Sequence, residues 1–141
     1  MTASLATLLV ALVTVIALLV FFWTGFRVGQ MRGKHQVKAP ATTGHPEFEC
    51  AYRVQVNMLE QIVIFLPLLW LSNAYFMWMP YLTGALGLVW IVGRIMYATG
   101  YSAENPGGRS TGFLIAGIAT LGLLITTIIG LVQAYMAISA A

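Results

Sequence analysis

The 141-residue chain is 60% hydrophobic and 8% charged, which is the composition of an integral membrane protein and excludes an ordinary water-soluble domain. Its net charge of +3 arises from Arg27, Arg32, Lys34, Lys38, Arg53, Arg94 and Arg109 set against Glu47, Glu49, Glu60 and Glu104. These positive charges fall in short loops and apolar segments, a topology signal and not a nucleic-acid surface, and the lone cysteine, Cys50, excludes an intrachain disulfide.

The first span is predicted from about Ala3 to Phe26, uncharged throughout and long enough to cross roughly 30 Å of hydrocarbon. It lacks the basic start and short core of a signal peptide, and Phe22 and Trp23 suit a membrane interface. From Arg27 to His45 the composition changes to RVGQMRGKHQVKAPATTGH, read as a solvent or headgroup loop in which His35 and His45 are solvated. The second span is expected over 47–73: Pro46 opens it, Glu47 and Glu49 complement the helix dipole, and Pro67 is expected to kink it.

A turn falls within SNAYFMWMP, which carries no Lys or Arg. The third span, over 80–101, places Arg94, Tyr97 and Tyr101 on one face and is followed by the turn-forming SAENPGGR. The fourth, over 110–138, is uncharged, and Gly112, Gly117, Gly122 and Gly130 are expected to permit close helix contact. The fold class is therefore all-α, a four-helix integral membrane bundle forming one domain over 1–141. Because the loop Lys and Arg belong to the first and third loops, those loops are expected to face the cytoplasm, with both termini opposite.

Within PEFECAYRVQVNMLEQ, Glu49, Arg53, Asn57 and Glu60 recur at helical spacing and form one polar stripe at the head of an apolar span. Ionisable groups at that depth need protein or water partners, which marks a functional site. Counting back from the uncharged loop at about 1.5 Å per residue puts Glu60 and Arg94 at nearly the same level, so a direct Glu60–Arg94 ion pair is expected. The structural alternative is that these groups only glue helices together. The surplus of guanidinium over carboxylate favours instead a pocket for an anionic ligand, open on its lipid side to an apolar one. No metal-ligand spacing or phosphate loop is evident, so neither metal nor nucleotide is assigned.

The combination TTGHPEFECAYRVQVNMLEQ, GRIMYATGY and a later Arg-x-x-Gly-Phe resembles the superfamily of membrane-associated proteins in eicosanoid and glutathione metabolism (MAPEG), which includes microsomal glutathione transferases and leukotriene C synthase. The resemblance covers all four spans. It implies a homotrimer that binds glutathione between subunits on the cytoplasmic side and takes an apolar electrophile or lipid hydroperoxide from the bilayer. By the matching motifs it implies that Arg53, Asn57, Glu60, Tyr97 and Tyr101 hold glutathione from one subunit, with Gln55 and Arg32 contributed by the next. Arg109 would favour the thiolate, with the Tyr101 hydroxyl as the competing donor. Two departures are Gln61, where leukotriene C synthase has Tyr, and the position of Arg109, one residue later than in the family pattern.

Lowering a thiol pKa from about 8.5 by about two units takes roughly 2.7 kcal/mol, and a unit charge at about 4 Å supplies about 4 kcal/mol at an effective dielectric of about 20, so one Arg suffices. The expected activity is a membrane glutathione transferase or peroxidase. The alternatives are a non-catalytic lipid-binding member of the same fold, of the activating-protein type, and a small proton-coupled transporter. The transporter class carries its key Glu in the first span, which is uncharged here.

Overall fold

The computed structural model describes residues 4–140. Its helices are α1 (Leu5–His35), α2 (Pro46–Tyr75), α3 (Pro80–Gly100) and α4 (Ser110–Ser139), with a 3-10 turn over Pro106–Arg109. All four long helices have the length and apolarity to cross a membrane. The expected start of the first span at Ala3 lies outside the described residues.

The largest departure from expectation is at the end of α1, which continues through Arg27 to His35 instead of stopping where the apolar run ends. Hydropathy locates the membrane boundary, not the helix end, and Gln30, Met31, Arg32 and Lys34 are all good helix formers. Arg32, Lys34 and His35 complement the dipole in the last turn, and Gln36, at φ 53°, ends the helix in a left-handed cap. Val28 in this extension is buried with Val37, Phe48 and Ala51, so packing against the start of α2 holds it. At that start His45 is the N-cap, its Nδ1 accepting the Glu47 N–H. α2 then continues through Pro67 as one helix to Tyr75.

α2 and α3 contact each other and both outer helices, while α1 and α4 do not touch among the described residues. The central core is apolar, built around Val10, Val13, Met58, Phe65, Leu69, Trp90 and Leu123, with the Phe65 and Trp90 rings stacked at 3.8 Å. The outward faces carry exposed Leu, Ile, Val and Phe, an arrangement suited to lipid and not to water. At the end of the bundle away from the charged loops, Ser72, Thr83 and Thr126 satisfy one another, with Ser72 Oγ 2.7 Å from Thr83 Oγ1 and 2.8 Å from Thr126 Oγ1.

α3 and α4 approach until backbone meets backbone. A Cβ on Gly93 would lie 2.6 Å from the Ala116 nitrogen, and one on Gly112 would lie 2.6 Å from the Gly93 carbonyl oxygen. Gly117, on the outer face, has nothing within 4 Å, so only some of the expected glycine contacts are made. The closeness at Gly112 sets Tyr97 of α3 against the first turn of α4. Gly112→Ala is expected to lower stability by about 2 kcal/mol through forced separation of the helices. Gly117→Ala, in open space, is expected to raise it by up to about 1 kcal/mol. Thermal unfolding of both variants in one detergent checks the contrast.

Candidate functional site

The site is assembled around the buried guanidinium of Arg94 on α3, only 2% exposed. Its Nη2 donates to Asn57 Oδ1 at 3.0 Å and its Nε donates to Met58 Sδ at 3.4 Å, both on α2. The Tyr97 ring lies beneath it, 4.5 Å from centroid to guanidinium carbon. Asn57 then passes the interaction on: its Nδ2 donates to Glu60 Oε2 at 3.1 Å, and Glu60 Oε1 is 3.7 Å from Arg53 Nη1. Charge alternates along this relay, from guanidinium through amide and carboxylate to guanidinium.

The expected direct Glu60–Arg94 ion pair is not formed. Asn57 and Arg94 do meet at the α2–α3 contact, but Glu60, three residues on, is rotated about 60° around the helix from Asn57. Its side chain is about half exposed and turns outward to Arg53. Glu49 also leaves the stripe, because its Oε1 accepts the Gly44 N–H and so closes the loop before α2.

Arg53, Asn57, Tyr97 and Arg109 line one cavity of about 520 Å³, together with Ser110, Phe113 and Leu114 of α4. Of the residues expected to act together, these four are joined in a single chain, with Glu60 bonded to two of the group. Tyr101 adjoins them: its ring is 6.0 Å from that of Tyr97 and 4.6 Å from the Arg109 guanidinium carbon. It also walls a second cavity, of about 470 Å³, shared with Arg27, Cys50 and Glu104. Gln55 and Arg32 lie elsewhere. Gln55 faces α1 beside Phe21, Phe22, Gly25 and Phe26, and Arg32 donates to the Ala41 carbonyl at 2.8 Å and lies over the Phe48 ring.

The lining residues Ser110, Phe113 and Leu114 were not anticipated as site residues. The Arg-x-x-Gly-Phe motif held the signal, because Arg109 and Phe113 are one helical turn apart and flank the tight Gly112 contact. Arg27 has a positioning part as well. From α1 its Nη1 donates to the Ala98 carbonyl at 2.8 Å while its guanidinium lies over Trp23, tying down the last turn of α3 just before Tyr101.

Since Asn57 and not Glu60 receives the Arg94 hydrogen bond, the two substitutions should differ in cost. Asn57→Leu strips a buried cation of its polar partner and is expected to cost about 3 kcal/mol or more. Glu60→Gln, at a half-exposed position, is expected to cost about 1 kcal/mol. Thermal unfolding in detergent checks the order; a direct Glu60–Arg94 pair would reverse it.

A profile of the MAPEG family matches residues 10–129. The chain is 39% identical over 123 residues to an uncharacterized protein of Synechocystis sp., covering 86% of each. It is 38% identical over 125 residues to microsomal glutathione S-transferase 2 of Homo sapiens, covering 88% of this chain and 80% of the relative. With leukotriene C4 synthase of Cavia porcellus it shares 36% identity over 124 residues, covering 82% of this chain and 81% of the relative. The family profile spans most of the chain, the relatives align over more than four fifths of it, and the fold is a bundle of four membrane-length helices; the chain is an integral membrane protein belonging to the MAPEG family.

Proposed function

We propose that this protein is a membrane glutathione transferase, with glutathione peroxidase activity as a further capacity, in which Arg53 anchors glutathione and Arg109 stabilises its thiolate. The observation that carries the reading is the pairing of these two arginines in the wall of one cavity, with Glu60 offsetting only Arg53. Arg53, Asn57, Glu60 and Tyr97 supply the donors and acceptors suited to the carboxylates and amides of the tripeptide. Phe113 and Leu114 give the same cavity an apolar side for an electrophile or lipid hydroperoxide delivered from the bilayer. In transfer, the thiolate sulfur forms a C–S bond to the electrophilic carbon as that carbon's bond to its leaving group, or the π bond of a conjugated alkene, breaks; the electron pair released leaves with that group or takes up a proton from water.

A positive charge aimed at the sulfur matters chiefly when negative charge is held there, whereas contacts to the carboxylates act on ground state and transition state alike. Arg109→Ala is expected to lower turnover at neutral pH about ten-fold or more while affinity for glutathione changes little. Arg53→Ala is expected to do the reverse. The checks are steady-state kinetics and the ultraviolet thiolate absorbance of bound glutathione. Loss of that absorbance in Tyr101→Phe but not in Arg109→Ala would transfer the sulfur site to Tyr101. Binding with no thiolate absorbance in the unaltered protein would favour the lipid-binding, activating-protein type of function.

The reading includes a homotrimer. Its support is the exposure of Arg53 and Glu60 at 53% and 48% on a membrane-length helix, where a neighbouring subunit would exclude lipid from them. Gln55 and Arg32, which do not line the Arg53 cavity of their own chain, are the groups assigned to the neighbour's site. The cavity would open to the cytoplasm, with the first and third loops on that side and both termini opposite. A cysteine introduced by Gln36→Cys in a Cys50-free chain is expected to resist an impermeant thiol reagent applied outside intact cells. Its labelling from outside would reverse the orientation.

A further inference from the structure

Away from the arginine cavity, the turn between α1 and α2 is pinched at its base. The imidazoles of His35, in the last turn of α1, and His45, the N-cap of α2, lie face to face with centroids 3.5 Å apart and planes 11° from parallel. Glu47 Oε2 sits 2.8 Å from His35 Nε2, with Lys34 Nζ on the same oxygen at 2.6 Å. One donor atom from each of His35, His45 and Glu47 falls within 4.8 Å of the other two. The spacing in sequence gives no hint of this, because the intervening loop must fold back before the two histidines meet.

We propose that His35, His45 and Glu47 form a zinc site that clasps α1 to α2. Two imidazoles and a carboxylate are a donor set that zinc takes at about 2.0–2.2 Å; because the in-plane lone pairs of stacked rings do not converge, the two rings must tilt apart as the three donors close inward by about 1 Å each. Side-chain rotation supplies this movement: His35 and His45 are only partly buried and Glu47 is exposed.

The partners an ion would displace are weak ones. They are an exposed lysine–carboxylate pair, a hydrogen bond between His35 and the same carboxylate, and the 3.2 Å capping bond to His45 Nδ1. His45 and Glu47 also line the 470 Å³ cavity, which leaves room for water to complete the coordination. The ion would bridge the last turn of one membrane helix to the first turn of the next and fix the loop whose Ala41 carbonyl Arg32 already holds.

The test uses untagged full-length protein in detergent, in a Cys50→Ser background so that the thiol contributes nothing, titrated with zinc against a chromogenic chelator. One equivalent is expected to bind. His35→Ala and Glu47→Gln are each expected to weaken binding by about ten-fold or more, as is His45→Asn, which keeps a good helix cap while removing the ring. Lys34→Met, which frees the carboxylate from its ammonium, is expected to tighten it. Absence of stoichiometric binding at micromolar zinc, unchanged affinity in both His35→Ala and His45→Asn, or weaker binding in Lys34→Met would overturn the proposal.

Discussion

The bundle turns on a positive charge held inside it. Arg94 is almost fully enclosed, and a guanidinium cannot shed its proton at any ordinary pH, so the surroundings must satisfy it. Asn57 does this in part: its carbonyl accepts from Nη2 while Nη1 stays buried without a hydrogen-bond partner among the described residues, and its amide nitrogen is thereby oriented toward Glu60, which in turn faces Arg53. The aromatic face of Tyr97 covers the remaining side. One buried cation thus sets the register of α2 against α3 and presents a second, accessible cation to the cavity.

α4 completes the arrangement through contact too close for side chains. Where Gly93 and Gly112 cross, the absence of Cβ atoms lets the start of α4 lie against Tyr97, and this carries Arg109 and Phe113 to the cavity wall. Dispersion between closely packed backbones is a natural adhesive in lipid, where apolar burial offers little net driving force. At the opposite end three hydroxyls pair among themselves, so polar groups there act as glue. Similar chemistry therefore does different work at the two ends: the hydroxyl cluster consumes its own hydrogen-bonding capacity, whereas the arginine cluster leaves guanidinium groups over.

The loop side shows how far a helix can outrun its membrane span. α1 continues beyond its apolar run because its polar residues favour helix and its last turn packs on the start of α2. That extension brings His35 to His45 and Arg32 to Phe48 and Ala41, turning an apparent linker into a closed turn with its own hydrogen bonds.

The four membrane-length helices, the stripe of Arg53, Asn57 and Glu60, and the face shared by Arg94 and Tyr97 were determined by the sequence alone, because apolar run length and helical period are local properties. Tertiary structure decided which of those groups touch. Residue depth along a helix follows from counting, but rotation about the axis decides partners, and it gave Arg94 to Asn57 while turning Glu60 outward. It also decided that Arg109, separated from Tyr101 by an irregular loop and a 3-10 turn, reaches the cavity of Arg53. Periodicity carries no information across such a loop, and only the α3–α4 crossing fixes where its end is placed.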